Sequence, residues 1–298
     1  MDFVHKPVLL EETLTYWASQ PQGTYIDGTV GGGGHSAALL QRLPQAQLIC
    51  IDQDDEALAA AKEKLAPFSG RVHFVKENFA NILEVAKVLD LPNVDGVLLD
   101  IGVSSYQLDC GERGFSYIQD APLDMRMDRN GSGPTAAHLV NTLTEEELAN
   151  IIYQYGEERF SRRIARQIVA ARQEKPIATT GELTALIKKA MPAVAKREEQ
   201  HPAKRTFQAL RIAVNQELAV LENGLSGALE ILRPGGHLCV ITFHSLEDRI
   251  VKQTFASMAE GCTCPKDLPV CVCGKQPQIR VVSKKPILPS EEELENNP

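Results

Sequence analysis

Short apolar runs alternate with longer amphipathic stretches over the first hundred residues of the chain. The apolar runs predict four strands, at residues 23–29, 46–54, 71–79 and 94–102. The stretches after the first two strands have apolar residues at helical spacing and predict helices at 35–43 and 56–66. Strands that are almost continuously apolar and separated by helices are typical of a parallel sheet covered on both faces. The pattern therefore predicts the α/β class, with a doubly wound Rossmann-like sheet.

Helical spacing replaces the strand pattern from about residue 106. Thr144 and Glu147 have the spacing of a capping box at the start of a helix. Apolar residues then recur at helical intervals in 161–172 and in 179–191. These helices predict an inserted, mainly helical domain at residues 106–205.

The mixed pattern of strands and helices returns after residue 205. Residues 206–232 predict one long helix, 237–245 a fifth strand and 278–287 a late strand. Ser245 is the predicted N-cap of the helix that follows the fifth strand. We therefore expect residues 1–105 and 206–298 to form one domain that the helical domain interrupts. The acidic end of the chain, from residue 289, is predicted to be a flexible tail.

The composition narrows the classes of protein to consider. The chain has 298 residues, of which 43% are hydrophobic and 23% charged, and its net charge is −8. No apolar run approaches the roughly 18 residues of a membrane span, and the N-terminus has no apolar signal segment. We therefore expect a cytoplasmic protein with no membrane partner. The acidic balance excludes a surface that is basic all over, but a local basic face could still bind RNA.

The sequence YIDGTVGGGGHS, at residues 25–36, places four consecutive glycines after the first predicted strand. A phosphate-binding P-loop needs a lysine after its last glycine, and this loop has none. A dinucleotide-binding loop has the pattern G-x-G-x-x-G, which Gly31, Gly33 and Ser36 match except for the final serine. The third alternative is S-adenosylmethionine, which has a cationic sulfonium, an amine and a ribose diol in place of a pyrophosphate.

Polar side chains end each of the four predicted strands, where S-adenosylmethionine would need them. Asp27 could meet its amino-acid end, and Asp52 could hold its ribose hydroxyls. Asn78 could hydrogen-bond to adenine, and Phe79 could stack on it. Asp100 ends the fourth strand, beside the point where the strand order of a doubly wound sheet reverses. Together these positions favour S-adenosylmethionine over a dinucleotide.

The residues after the fourth strand indicate which atom would accept a methyl group. Methylation at carbon 5 of a pyrimidine needs a cysteine nucleophile, and Cys110 lies in a context that indicates an ordinary loop residue. An exocyclic amine instead needs an acceptor for its N–H, which Asp100, Ser104 and Ser105 could supply. The alternative, in which Asp100 only binds the cofactor or caps a turn, stays open.

Longer motifs follow one another from about His5 to the end of the chain, among them HKPVLLEE, DGVLLDIGVSSYQLD, YGEERFSRRIARQIV, HPAKRTFQALRIAVNQEL and FHSLEDRIVK. With the glycine loop, they resemble the small-subunit ribosomal RNA methyltransferase H family. The resemblance implies a class I methyltransferase fold with S-adenosylmethionine as cofactor. It also implies methylation of the N4 amine of a cytosine in the decoding centre of 16S rRNA, with the small ribosomal subunit as partner.

The same resemblance implies which residues hold the cofactor. The matching positions are Gly33, Gly34, His35, Asp52, Phe79, Asp100 and Gln107. For His35 an alternative stays open, in which only its backbone N–H matters and the ring is structural. The family usually continues past the ENN motif into an Arg- and Ser-rich run and a last strand. This sequence lacks that run, so we expect a sheet without its final hairpin partner.

Basic and aromatic residues near the predicted cleft are candidates for contact with RNA. They are Arg113, Phe115, Arg126, Arg205 and His244. The arginines could bind phosphates, and Phe115 could stack on an extruded base. Phe115 could equally anchor a small core, and the basic helices could be ordinary solvated helices.

Four of the seven cysteines lie within twelve residues, in the motif CTCPKDLPVCVC. They are Cys262, Cys264, Cys271 and Cys273. In a reducing cytosol this clustering favours a metal over disulfides, and tetrahedral structural zinc is one interpretation. The pairs are more tightly spaced than the usual Cys-x-x-Cys, so reduced thiols stay open as the alternative.

Two rival functions and two oligomeric states stay open at this level. A nicotinamide-dependent oxidoreductase would bind a dinucleotide at the glycine loop, and a non-catalytic RNA-binding assembly factor could retain the cofactor fold. The acids Asp27, Asp52 and Asp100 favour the methyltransferase over both rivals. A monomer and a homodimer are both compatible with the sequence.

Overall fold

The computed structural model describes residues 7–104, 107, 110–192, 201–262, 264, 270, 272–283 and 285–297. The chain divides into two compact units. The first unit consists of Met1–Asp52, Glu56–Gly102 and Val220–Pro298, and the second consists of Gln53–Asp55 and Val103–Ala219. The helix at Lys204–Asn215 thus lies in the second unit, although the sequence placed it with the strands.

The first unit contains one five-stranded sheet in which every neighbouring pair is parallel. The strands are β1 Thr24–Asp27, β2 Gln47–Asp52, β3 Val72–Lys76, β4 Val94–Asp100 and β5 Leu232–Ile241. Their spatial order is β3-β2-β1-β4-β5, so the order reverses between β1 and β4. This is the doubly wound arrangement, and the predicted fold class is confirmed.

Successive side chains of the apolar strands alternate between two cores. In β4, Leu98 packs into one core and Leu99 into the other, and Tyr25 and Ile26 of β1 divide in the same way. The helices Leu10–Trp17 and Gly34–Arg42 contribute to the first core, and the helices Ile82–Val88 and Glu217–Ile231 contribute to the second. Burial on both faces explains why the strands read as nearly continuous apolar runs.

Further helices complete the first unit. They are Asp55–Lys64, Ser245–Ala259 and Glu291–Asn296, with 3₁₀ turns at Ala66–Arg71 and Phe79–Asn81. The helices predicted at 35–43 and 56–66 are confirmed to within two residues at each end. The last helix lies within the predicted flexible tail. Ser290 caps it, and a carboxylate oxygen of Glu293 accepts a hydrogen bond from the Leu9 amide at 2.6 Å.

Three local predictions are wrong. The long helix predicted at 206–232 is two helices, because Gln216 adopts a left-handed conformation with φ 51° between Asn215 and Glu217. No strand forms among the described residues of 278–287. The N-cap before the helix Ser245–Ala259 is His244 instead of Ser245, and the His244 ring accepts from the Glu247 amide at 3.4 Å.

The second unit is mainly helical. Its helices are Ala136–Thr142, Glu145–Gly156, Ser161–Arg172, Thr180–Ala190 and Lys204–Asn215, with a 3₁₀ turn at Gly111–Arg113. The capping box of Thr144 and Glu147 is confirmed, and Thr179 forms a second one with Glu182. These helices bury one continuous apolar cluster, which includes Ile152, Ile164 and Leu210.

Within the described ranges, no helix combines the length and the apolar character that crossing a membrane requires.

Candidate active site

The glycine loop connects β1 to the helix Gly34–Arg42 through two left-handed residues. Gly31 has φ 50° and Gly33 has φ 75°, conformations that favour glycine. A Cβ at Gly33 would lie 3.4 Å from the Cα of Ala61, whereas a Cβ at Gly32 would meet nothing within 4 Å. The loop therefore packs on one side and leaves open backbone on the other, as a bound ligand would require.

Asp27 stabilises the loop from inside. It is buried, and its Oδ1 accepts from the Thr29 amide at 3.2 Å while its Oδ2 accepts from the Ser36 hydroxyl at 2.6 Å. Burial raises the pKa of Asp27 to about 6, although both hydrogen bonds act in the opposite direction. Asp27 therefore has a structural role that the sequence did not reveal. The hydrogen bond also explains why a serine stands where the dinucleotide pattern has its third glycine.

Asp52 lies at the end of β2 and is oriented by the loop. Its Oδ2 accepts a hydrogen bond from the Gly31 amide at 2.9 Å. The amide occupies one oxygen of the carboxylate and fixes the orientation of the group at the carboxyl edge of the sheet. A carboxylate at this position is suited to accept hydrogen bonds from a ribose diol.

Asp100 lies at the end of β4, and its two oxygens differ. Its Oδ2 is 3.6 Å from the Nδ1 of His35, while its Oδ1 is buried without a hydrogen-bond partner among the described residues. The backbone is fixed because the Asp100 amide donates to the Thr29 hydroxyl at 2.7 Å. Burial raises the pKa of Asp100 to about 7, and the charges of Asp27 and Glu247 add to this effect. Asp100 can therefore exist in either protonation state near neutral pH.

The His35 ring has a defined orientation. Its Nε2 is 2.9 Å from the Val8 carbonyl, and since a carbonyl can only accept, Nε2 carries the hydrogen. In the neutral tautomer the lone pair of Nδ1 therefore faces Asp100. Burial lowers the pKa of His35, while the Val8 carbonyl acts in the opposite direction. The ring is thus held by the protein itself, which agrees with its structural interpretation.

The residues after β3 are largely engaged by the protein. Phe79 lies in a core cluster, and a Cβ at Gly224 would fall only 2.4 Å from its ring. Asn78 caps the turn by accepting from the Ala80 amide at 2.9 Å. Neither contact tests the predicted interactions with adenine, and these stay predictions.

Ser104 and Gln107 belong to the second unit and bond to each other. The Ser104 amide donates to Gln107 Oε1 at 3.1 Å, and the Gln107 amide donates to the Ser104 hydroxyl at 3.2 Å. The Gln107 side chain also donates to Asp54 at 2.8 Å. Asp54 therefore holds the Gln107 side chain in place, a role that the sequence analysis did not predict. Ser105 lies outside the described residues.

Two of the predicted RNA contacts are buried in the second unit. The Arg113 side chain is 0% exposed and donates to Asp54 Oδ2 and to the Met127 carbonyl, both at 2.8 Å. Phe115 lies in the helical core, as its alternative interpretation expected. Neither side chain presents surface to RNA in this conformation, because each is enclosed by its own unit.

The other three RNA candidates differ in accessibility. Arg126 is bound by Asp124, which accepts from Nε at 2.8 Å and from Nη2 at 3.0 Å. The His244 side chain is 8% exposed and lies against Glu247, with 3.0 Å between Nε2 and Oε1. Arg205 is exposed, with only a 3.4 Å contact to the Glu157 carbonyl among its hydrogen bonds to described residues.

Phe243 is an aromatic residue that the sequence analysis did not select. It follows β5 and is 56% exposed, which is unusual for a phenylalanine. Its ring lies against Gly102, where a Cβ would be 3.2 Å away and where φ is 120°. Gly102 and Phe243 each lie two residues beyond the paired ends Asp100 and Ile241, so the ring is near the carboxyl edge of the sheet. Exposure on a short turn cannot be inferred from sequence periodicity.

The cysteine motif is partly described. The sulfur atoms of Cys262, Cys264 and Cys273 lie within 4.8 Å of one another, and Cys271 is outside the described residues.

A doubly wound sheet with a glycine loop after β1 and acids at the ends of β2 and β4 defines a class of cofactor-binding α/β proteins. Comparison with known proteins identifies the family within that class. The model of the MraW methylase family matches residues 2–298, and the chain belongs to this family. The predicted family resemblance is confirmed.

Named relatives are similar to this chain over nearly their full length. The chain is 61% identical to the ribosomal RNA small subunit methyltransferase H of Symbiobacterium thermophilum, over 100% of this chain and 94% of that protein. It is 56% identical to the protein of the same name from Heliobacterium modesticaldum, over 100% of this chain and 96% of that protein.

Proposed function

We propose that this protein transfers a methyl group from S-adenosylmethionine to the N4 amine of a cytosine in the decoding centre of 16S rRNA. Its substrate would be the assembled small subunit in the cytoplasm. Family membership and the names of the relatives support methylation of small-subunit rRNA. The observation that carries the chemistry is the Asp100 carboxylate, one oxygen of which is buried without a hydrogen-bond partner among the described residues.

The residues present fit S-adenosylmethionine. The outer side of the glycine loop is open, so a ligand can approach the backbone at Gly32. Asp52, oriented by the Gly31 amide, would accept from the ribose hydroxyls. The remaining positions that match the family's cofactor residues are Gly33, Gly34, His35, Phe79, Asp100 and Gln107. When bound, the cofactor supplies an electrophilic methyl group on a cationic sulfur.

Asp100 would act on the acceptor amine. The lone pair of a cytosine N4 amine is shared with the ring, so the amine is a poor nucleophile. A carboxylate that accepts a hydrogen bond from the amine favours its pyramidal form. As the N–C bond forms and the S–C bond breaks, the bonding pair of the S–C bond returns to sulfur and the amine proton passes to an acceptor. We assign that acceptor to Asp100, with the Ser104 hydroxyl as a second candidate.

Contacts with RNA are assigned to accessible residues. Phe243 offers an exposed ring on which an extruded base could stack, and Arg205 offers an accessible guanidinium for a phosphate. We assign no RNA contact to the four remaining candidates, because each is buried or bound to a neighbouring group of the protein. They are Arg113, Phe115, Arg126 and His244.

A test for the stacking role compares two variants of Phe243. Phe243→Ala is expected to raise the KM for small subunits by about fivefold or more, since base–aromatic stacking contributes about 1–3 kcal/mol. Phe243→Tyr retains the ring and should keep the KM close to its original value. The Kd for S-adenosylmethionine should not change in either variant. An unchanged KM in Phe243→Ala would contradict the assignment.

The proposed reaction is tested by incubating the protein with radiolabelled S-adenosylmethionine and unmethylated small subunits, followed by digestion of the RNA. We expect labelled N4-methylcytidine, and a rate that is lower by about 10²-fold or more in Asp100→Asn. Glu84→Gln removes an exposed carboxylate that pairs with Lys87 and serves as the control.

The other outcomes of this experiment distinguish the proposed reaction from the two rival functions. Label on a different nucleoside would overturn the acceptor atom but keep the methyltransferase. RNA binding without transfer, unaffected by S-adenosylmethionine, would favour the assembly factor. Oxidation of a nicotinamide cofactor in place of methyl transfer would favour the oxidoreductase.

A further inference from the structure

The three described cysteines of the motif form a compact sulfur cluster after the helix Ser245–Ala259. Cys262 and Cys273 are exposed and Cys264 is partly exposed, and their sulfur atoms lie within 4.8 Å of one another. Cys50, by contrast, is buried in a core of the first unit, where a thiol packs as a small apolar group. The three clustered thiols are not placed there by core packing.

The separation of the sulfur atoms fits a metal better than a disulfide. The Sγ atoms of Cys262 and Cys273 are 3.7 Å apart. A disulfide would bring them to about 2.05 Å. Four sulfurs at about 2.3 Å from a tetrahedral zinc ion lie about 3.8 Å from one another. The observed distance therefore corresponds to an edge of a zinc–thiolate tetrahedron.

Cys264 completes a triangle and is held by the backbone. Its sulfur contacts both Cys262 and Cys273, and it accepts hydrogen bonds from the amides of Val272 and Cys273. Amide N–H groups directed at a sulfur fix its orientation, as groups around a metal ligand do. The turn at 272–273 therefore directs two backbone amides and the Cys273 sulfur toward the Cys264 sulfur.

We propose that Cys262, Cys264 and Cys273 bind a structural Zn²⁺ ion with tetrahedral geometry. Thiolates are ligands that zinc prefers, and three of them with a fourth donor satisfy its usual coordination. The ion would tie the segment after the helix Ser245–Ala259 to the turn at 272–273. The site rests on three described residues, is separate from Asp100 and the glycine loop, and does not depend on the proposed reaction.

The test measures metal in the full chain after purification under reducing conditions without chelator. We expect about one zinc ion per chain in the original protein. Cys264→Ser should retain at least tenfold less zinc. Cys110→Ser changes a partly exposed cysteine outside the cluster and should retain as much zinc as the original protein. Thermal unfolding of each variant verifies that it is folded.

A second measurement uses Co²⁺ in place of zinc. Cobalt in a tetrahedral thiolate site gives intense visible absorption and sulfur-to-metal charge-transfer bands, and we expect both in the original protein and neither in Cys264→Ser. A protein that contains no zinc and takes up neither added Zn²⁺ nor Co²⁺ would overturn the proposal. So would a disulfide between Cys262 and Cys273 in the reduced preparation, detected as the loss of two hydrogens in the intact mass.

Discussion

Asp27 and Asp100 end neighbouring strands, but their carboxylates are satisfied differently. Both oxygens of Asp27 accept hydrogen bonds, one from the Thr29 amide in the loop and one from the Ser36 hydroxyl in the helix that follows, so the group stabilises the protein's own fold. Asp100 has one buried oxygen without such a partner among the described residues and the other at 3.6 Å from His35. A buried acceptor without a partner is unfavourable unless a ligand completes it. This difference supports a structural role for Asp27 and our proposal that Asp100 contacts the ligand.

The pH dependence of cofactor binding follows from Asp100. Burial raises its pKa from 3.8 to about 7, so it loses its proton, and becomes negative, as the pH rises through 7. In the proposed site, a negative Asp100 would attract the cationic sulfonium of the bound cofactor. The Kd of S-adenosylmethionine should therefore fall by up to about tenfold between pH 6 and pH 8.

Calorimetry at several pH values tests this dependence. S-adenosylhomocysteine is the control, because it keeps the amine and the carboxylate of the cofactor but has an uncharged sulfur. The Kd of S-adenosylhomocysteine should change less over the same pH range. In Asp100→Asn, the two ligands should show the same pH dependence of the Kd. Equal pH dependence of the two ligands in the original protein would show that Asp100 does not face the sulfur.

Arg113 shows at the same scale what a sequence cannot report. A charged residue in a glycine-rich motif resembles a surface contact, but Arg113 and Asp54 form a buried pair with side chains 0% and 6% exposed. Removing one partner of such a pair leaves an uncompensated charge. Arg113→Met should therefore lower the free energy of unfolding by about 3–5 kcal/mol in urea denaturation.

A second change separates the charge from the packing. In the double variant Arg113→Met with Asp54→Asn, no buried charge remains, and the amide oxygen can still accept from Gln107. We expect it to recover part of the lost stability. Arg205→Met, at an exposed position, should change the stability by less than about 0.5 kcal/mol. A similar small loss in Arg113→Met would mean that Asp54 finds another partner.

At the scale of the elements, hydrophobic periodicity predicted regular helices but missed a break between two helices. The helix Ser161–Arg172 and the capping box of Thr144 were predicted from spacing. The break at Gln216 was not, because no glycine or proline stands there. It is supported by distant contacts, since the Asn215 side chain donates to the Met125 carbonyl and accepts from the Met127 amide, both at 2.8 Å. Such contacts depend on the tertiary fold.

The turn at Gly114 gives a prediction at this scale. Gly114 has φ 74°, and a Cβ there would lie 2.3 Å from the Pro122 carbonyl oxygen. Gly114→Ala should therefore lower the free energy of unfolding by about 1–3 kcal/mol from backbone strain alone, and the steric clash adds to this loss. Gly133→Ala is the matched control, because a Cβ there meets nothing within 4 Å. Equal urea midpoints for the two variants would contradict the steric explanation.

At the scale of the whole molecule, two features could be predicted from the sequence: the α/β class, and the meeting of the acids that end the strands. The acids meet because parallel strands end at the same edge of the sheet. The partners of those acids could not be predicted. Ser36 bonds to Asp27 and the Val8 carbonyl orients His35, and neither pairing follows from spacing. The proposed base-stacking ring, Phe243, was missed because exposure after a strand leaves no periodic signal.

The charge of the whole chain sets how it would bind RNA. With a net charge of −8, long-range attraction to phosphate is weak, so binding must depend on individual accessible cations. Arg205 is exposed and is our candidate for such a contact. Replacing one phosphate contact should weaken subunit binding and reduce the slope of log affinity against log salt by about 1.

Filter binding across a salt series compares Arg205→Gln with Lys87→Gln. Both variants lose one exposed positive charge, so any effect of net charge is the same in the two proteins. Lys87 pairs with Glu84 on the surface helix Ile82–Val88 and is not proposed to contact RNA. Only Arg205→Gln should lower the salt slope. If the two variants behave alike, net charge and not a local contact determines the affinity, and Arg205 loses its assignment.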